Sequence, residues 1–239
     1  MESLSLTAAT SQWETVSSML IDLHAHTSLH SLDCSLTPDE LIEGAKAVGL
    51  DGICITEHDQ FWSHDAAAEL AKRHDFLVIP GCEITTEEGH ILTFGLEAYV
   101  FGMHRAGFLR ARVEEAGGAL LFAHPYRRRF NPETGPEVPS FEEQVRRACE
   151  NGGLDLTHGV EIVNGRGSVA QNRFSQAVSE RLGLPSFGAS DTHDPEDMGA
   201  CATEFECKVR GLDDFLEEVL AKRYRPVVMR NGHGPASQP

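Results

Sequence analysis

The chain has 239 residues, 41% of them hydrophobic and 24% charged, enough to bury a sizeable core and too apolar for a disordered polymer. Its formal charge of −17 argues against sequence-independent coating of DNA or RNA, though not against cleaving a phosphate in a local pocket. No apolar run reaches the roughly 18 residues of a bilayer span. The first eighteen residues lack the basic start of a secretory signal, so a cytoplasmic protein without membrane contact is expected. The six cysteines (34, 54, 82, 149, 201, 207) contain no CxxC pair and imply neither a disulfide framework nor a zinc ribbon.

Residues 1–18 read as an N-terminal extension. Apolar, β-rich runs then alternate with helix-period segments, which predicts strands at 20–25, 51–56, 76–84, 90–95, 119–124, 159–163 and 185–190. Between the first two strands Thr37-Pro38-Asp39-Glu40 opens a helix, with Thr37 as N-cap, Pro38 in the first turn and Glu40 reaching back as a capping box; Gly49 stops it. Further helices are expected near 62–73, 105–116, 140–150, 168–182 and 211–222. The stretch 126–139 holds three Pro, one Gly and three consecutive Arg, and reads as a long loop and candidate lid. Residues 231–239 read as a disordered tail. The alternation predicts a parallel sheet with helices outside it, an α/β barrel in one domain over 19–230.

Where the polar residues fall carries the functional signal. Six strands run from apolar residues directly into acid, histidine or asparagine: LIDLHAH, ICITEHD, VIPGCEIT, LLFAHP, VEIVNG and FGASDTH. In a closed parallel barrel these are the C-terminal strand ends, where sites are built. His24 and His26 flank one residue of a strand, and the period of two aims both imidazoles to one side. Asp33 follows a short loop later, His58 closes the second strand, Glu83 ends the third, His90 begins the next, His124 ends the one after, and Asp191 and His193 repeat the alternate-residue spacing. Singly, each reads better as a solvated or satisfied core residue than as a ligand. Jointly they form a ligand set of imidazole and carboxylate without thiolate, suited to Mn²⁺, Zn²⁺ or Fe²⁺ in an open catalytic site. Nine ligands exceed one ion's needs, so two or three divalent cations are expected, with Glu83 as a natural bridge, at the spacing that serves phosphate-ester hydrolysis.

The order of His24-Ala25-His26-Thr27 with Asp33, Thr56-Glu57-His58-Asp59, Gly81-Cys82-Glu83-Ile84, His124-Pro125 and Ser190-Asp191-Thr192-His193 resembles the PHP superfamily, named after DNA polymerase and histidinol phosphatase. The resemblance spans 20–195 and implies a distorted seven-stranded (β/α)7 barrel with a trinuclear metal centre. It implies a first metal on His24, His26, Glu83 and Asp191, a second on Glu83, His90 and His124, and a third on Asp33, His58 and His193, with His30 competing for the place of Asp33. Glu57 stands where many members have Asp, at a position that is not a ligand. Amidohydrolases share the HxH opening, but many bridge their metals with a carbamylated lysine; the four lysines here (46, 72, 208, 222) are at no proposed strand end, and Glu83 fills that place.

These residues suggest a hydrolase of phosphate esters in which a hydroxide bridging two metals attacks phosphorus in line, with Asp191 and His193 as candidate catalytic residues. Arg127, Arg128 and Arg129 follow His124-Pro125 directly and are candidates to clamp phosphate oxygens. Asn164 and Arg166 join them as candidate substrate contacts, unless Glu161 to Asn164 simply close a strand. A phosphatase acting on a small phosphomonoester or nucleotide is the expected function. A phosphodiesterase or 3'-5' exonuclease-like nuclease is the alternative, and a non-catalytic metal-binding regulatory module a third.

Overall fold

The computed structural model describes residues 18–133 and 135–230, so the expected N-terminal extension, apart from Ser18, and the expected tail lie outside the described residues. Among the described residues nine strands form one sheet in the order β7-β6-β5-β4-β3-β2-β1-β8-β9. In chain order they are β1 (Met19–Ala25), β2 (Gly52–Ile55), β3 (Leu77–Thr85), β4 (His90–Phe94), β5 (Ala119–Phe122), β6 (Val160–Asn164), β7 (Ser186–Ala189), β8 (Cys201–Phe205) and β9 (Tyr224–Val228). The helices are α1 (Pro38–Ala47), α2 (His64–His74), α3 (Ala106–Glu115), α4 (Phe141–Ala148), α5 (Val169–Leu182) and α6 (Leu212–Leu220). All seven predicted strands and six predicted helices are present.

Helix starts follow from local chemistry. Thr37 caps α1 in a full capping box with Glu40, and Ser168 does the same for α5 with Gln171, so exposed amides at each first turn gain acceptors. Gly49 (φ 85°) and Gly183 (φ 65°) then turn the chain in the left-handed region, where a Cβ is costly.

The sheet is mixed rather than parallel. β1–β2, β2–β3, β5–β6 and β6–β7 pair in parallel, whereas β4 runs antiparallel to both β3 and β5. The reason is the short turn between β3 and β4, closed by Thr86 N donating to Gly89 O at 2.9 Å; so few residues cannot make a parallel crossover. The consequence is functional: His90, which opens β4, pairs with Thr85 and so lies at the rim where β3 ends. Two strands were not predicted. β8 and β9 have five residues each, and β9 carries Arg225 and Pro226, a composition tolerated at a sheet edge.

The barrel is nearly closed. Beyond β7, Thr192 exchanges backbone bonds with β1 and its continuation (Thr192 N to His24 O 3.3 Å, His26 N to Thr192 O 3.0 Å), and the Thr203 hydroxyl of β8 bridges to Gly188 of β7 at 2.7 Å. Ile21, Leu23, Ile79, Leu121 and Phe187 fill the interior together with Phe215 and Val219 of α6. Phe215 is fully buried with its ring 4.8 Å from Phe94 and 5.8 Å from Phe205, so α6 stoppers the end opposite the rim that carries the histidines. Phe215→Ala is expected to cost about 3–5 kcal/mol in a urea titration; a loss below about 1 kcal/mol would rule out the stopper role. Among the described residues no helix is long and apolar enough to cross a membrane.

A surface ion cluster joins α1 to α2. His74 lies 2.6 Å from Asp39 and 2.7 Å from Glu43, one carboxylate per ring nitrogen. Asp39 first, then Glu43, holds the His74 pKa above its ordinary value. A raised folded-state pKa means the tie is fully present below the unfolded value near about 6.5 and fades as pH climbs through the folded value. The urea midpoint should therefore fall more steeply for the native chain than for His74→Gln between about pH 6 and about pH 8.5; parallel profiles would contradict this.

Candidate metal centre

The rim of the barrel gathers every side chain that the strand ends predicted as ligands. Glu83, fully buried at the end of β3, is the hub: its Oε1 lies 2.7 Å from His90 Nδ1 and 2.9 Å from His124 Nε2. Its Oε2 lies 2.9 Å from His58 Nδ1, 3.3 Å from His24 Nε2 and 3.5 Å from His26 Nε2. Asp191 Oδ1 stands across from it, 3.5 Å from His24 Nε2 and 3.6 Å from His26 Nε2. On the solvent side, Asp33 Oδ2 is 3.5 Å from His58 Nε2 and 3.4 Å from His193 Nε2. Asp33 is 63% exposed, while Glu83 and Asp191 are inaccessible, so the cluster opens towards Asp33. His30 is exposed, with its ring edge-on to Trp62 at 6.2 Å; Asp33 is the residue that reaches the cluster.

Four buried atoms test whether cations fit here. His24 Nε2, His26 Nε2 and Asp191 Oδ1 have no hydrogen-bond partner among the described residues, and Glu83 Oε2 has none that is well aligned, although His58 Nδ1 lies 2.9 Å away; all four face one another within the distances above. Orphaned polar atoms in a protein interior are costly. Donor lone pairs from two imidazoles and two carboxylates converging on one point suit a divalent cation. The side chains fall into overlapping groups, among them His24-His26-Asp191, His24-Glu83-His124 and His26-His58-His193, each with donor atoms within 4.8 Å.

The electrostatics favour positive charge. Burial would raise the carboxyls of Glu83 and Asp191, but His24 and the other imidazoles around them hold both well below the usual carboxylate range. Burial lowers His26 to about 4, which keeps its ring neutral and its lone pair available. Strain marks the same place: His124 (φ 25°) and Asp191 (φ 56°) are non-glycine residues in the left-handed region.

Several residues that orient the site were missed from sequence. Glu161 of β6 is fully buried; it binds His24 Nδ1 at 3.2 Å and accepts from His124 N at 2.6 Å and Asn164 Nδ2 at 3.0 Å. A carboxylate behind a ligating imidazole fixes the tautomer that leaves Nε2 free. The Asp191 carbonyl does the same for His193 Nδ1 at 2.9 Å. Asp22, buried inside β1 with its pKa pushed up to about 7 by burial, accepts from Ser190 N and His24 N. The Cys34 thiol faces the carbonyls of His26 (3.2 Å) and His193 (3.1 Å). The only sequence signal for Glu161 and Asp22 was an acid inside an otherwise apolar strand.

The candidate substrate contacts divide. Arg127 is half-buried and donates to Asp191 Oδ2 at 2.7 Å, placing its guanidinium at the cluster. Arg128 is exposed, and Arg129 donates to the Glu88 carbonyl at 2.7 Å. Asn164 is buried and committed to protein partners, namely Glu161, Asp191, Tyr126 and the Arg166 amide. Arg166 reaches towards Asp197 at 3.8 Å. The start of the expected lid is pinned, since Phe130 stacks on Phe174 at 4.9 Å and Gln144 holds Asn131 on both sides. A cavity of about 370 Å³ opens between His90, His124, Arg127, Arg129 and Phe130.

Fold and rim together define an α/β barrel protein whose strand ends gather clustered His, Glu and Asp donors of the kind that hold divalent metal ions. The family models give it a lineage: the model described as "PHP domain" matches residues 22–133 and "PHP-associated" matches 169–224. Over residues 22–133 the chain carries a PHP domain. It is 38% identical over 64 residues to an error-prone DNA polymerase of Nocardia farcinica; those residues are 27% of this chain and 6% of the polymerase, so the chain spans a small part of that relative. A two-domain protein of Bacteroides vulgatus containing a predicted PHP-like metal-dependent phosphoesterase superposes with a TM-score of 0.61 at 20% identity, covering 90% of this chain and 66% of that one. A lesion-specific endonuclease of Pyrococcus furiosus gives 0.53 at 15% identity, covering 88% and 58%. At these identities the likeness is one of fold.

Proposed function

We propose that this chain is a metal-dependent phosphoesterase acting on a small phosphorylated substrate, with monoesters or nucleotides preferred. The observation that carries it is the convergence of four buried donor atoms, none with a well-aligned hydrogen bond, on one point beside a guanidinium. His24, His26, Glu83 and Asp191 would hold one divalent cation, Glu83, His90 and His124 a second, and Asp33, His58 and His193 a third. Cations bound there supply Lewis acidity towards phosphoryl oxygens and lower the pKa of water.

The chain's own residues do the rest. Arg127, tied to Asp191 on one side and lining the cavity on the other, is placed to bind a phosphoryl oxygen. Asp191, with Oδ2 held by Arg127 and Asn164, presents Oδ1 inward as a donor to the first cation. His193, its Nδ1 fixed by a carbonyl, presents Nε2 towards the open side. The acidic surface disfavours long nucleic acid as substrate.

The test is hydrolysis of p-nitrophenyl phosphate and its bis ester by protein reconstituted with Mn²⁺, Zn²⁺ or Fe²⁺. Faster cation-dependent release from the monoester supports the proposal. Preference for the bis ester replaces it with a phosphodiesterase, and turnover that survives exhaustive chelation refutes the metal scheme.

A further inference from the structure

We infer that Glu57 is a positioning residue that sets the tautomer of His26 through Ser31. The inference rests on the reading of His26 as a cation ligand for its purpose, though not for its geometry. Glu57 follows β2, is fully buried, and its carboxylate hydrogen-bonds to Thr27, Ser31 and Trp62 rather than to the cluster's donor atoms. It collects donors from the loop behind His26: Thr27 N at 3.1 Å, the Thr27 hydroxyl, Ser31 Oγ at 2.6 Å and Trp62 Nε1 at 3.2 Å. A buried carboxylate supplied this fully by neutral donors needs no counter-cation of its own.

The bond to Ser31 has a directional consequence. A serine hydroxyl has a single proton. If that proton pointed at His26, the Ser31 and Glu57 oxygens would face each other at 2.6 Å with nothing between them. The proton therefore goes to Glu57, and Ser31 meets His26 Nδ1, 3.3 Å away, as an acceptor. Nδ1 must then carry the ring proton, which leaves the lone pair on Nε2. That is the buried, partnerless atom lying 3.5 Å from Glu83 and 3.6 Å from Asp191. Glu161 performs this service for His24 by direct contact; for His26 the carboxylate acts one hydroxyl removed. In Glu57→Gln the amide nitrogen can donate to Ser31, whose proton is then free to turn to His26 Nδ1 and favour the tautomer that blocks Nε2.

The competing view is a purely structural staple, in which Glu57 matters only through Thr27 and Trp62. The two separate in a double-mutant cycle with Ser31→Ala. Mn²⁺ affinity is measured by chelator competition, and the His26 tautomer by long-range ¹H–¹⁵N imidazole spectra on chelated protein. We expect Glu57→Gln to weaken Mn²⁺ binding by roughly 10- to 100-fold and to shift His26 from the Nδ1–H to the Nε2–H form. In a Ser31→Ala background the same change should cost less than about 3-fold, because the route is already cut. An equal loss in both backgrounds, or an unchanged tautomer in Glu57→Gln, overturns the inference. Should Glu57→Gln fail to fold, Ser31→Ala alone decides: Mn²⁺ affinity matching the native chain overturns it. Native protein that binds no Mn²⁺ would defeat the metal reading, whereas the tautomer is read without cations and still decides the role of Glu57.

Discussion

Exhaustive chelation is expected to lower the melting temperature and abolish phosphoesterase turnover, with Mn²⁺ restoring both. The size of the shift follows from linkage. A ligand present at about 1,000 times its Kd stabilises the folded state by about 4 kcal/mol. For a domain of this size each kcal/mol moves the midpoint by roughly 2–4 °C, so the expected shift is roughly 8–16 °C. The physical basis is Glu83, Asp191 and Glu161, three carboxylates with no solvent exposure packed around His24. Their mutual repulsion is relieved by positive charge at the centre, and the pull they exert on His24 raises its pKa well above the ordinary value against the effect of burial. An unfolded chain has no such cluster, so cations bind the folded state selectively. Differential scanning fluorimetry with and without chelator checks this directly. A midpoint unmoved by chelator or by Mn²⁺ would mean that the rim holds no cation of consequence.

The candidate ligands were legible in sequence because their signal is local: a histidine or acid ending an apolar strand sits at a barrel mouth whichever way the rest of the chain folds. His90 shows the limit of that rule. It starts its strand, and only the tight turn at Thr86–Gly89, which makes β4 antiparallel, brings it to the shared rim. The choice between His30 and Asp33 depended on the path of a loop and could not be read from spacing. Glu161, Glu57 and Asp22 were hidden for another reason. Their work is to hold other side chains, and an acid with that task looks in sequence like any polar residue near a strand. Arg129 illustrates the converse. It has the composition of a phosphate clamp, but its backbone turn sends it to the Glu88 carbonyl, leaving Arg127 alone of the three at Asp191. The stopper helix α6 was predicted as a helix, yet nothing in its periodicity said that it closes the barrel interior instead of covering the outside.

Replacing Glu83 by Gln is expected to have the largest effect of any single substitution. Both carboxylate oxygens are within 3.5 Å of imidazole nitrogens, five histidines in all, so the residue would contribute to each of the proposed cation positions directly or through a partner. Its backbone is fixed independently: Glu83 N donates to the Glu57 carbonyl at 3.0 Å and its own carbonyl accepts from Asp59 N at 3.0 Å, so the Gln side chain should occupy the same volume in the same strand. What changes is charge and one donor-acceptor polarity. The amide nitrogen turns two hydrogens towards lone pairs that a cation would share, and the bridging anion is gone. We expect turnover to fall by at least about 10³-fold, equivalent to roughly 4 kcal/mol of transition-state stabilisation. Cations retained per chain after dialysis should drop with it, and the chelator-sensitive part of the melting transition should shrink to less than half. Glu87→Gln, four residues along at an exposed position on the following turn, is the matched control and should leave all three measurements unchanged. If Glu83→Gln kept the full cation content and turnover, Glu83 would not be the bridge between cation positions, and the site would have to be rebuilt around Asp191 alone.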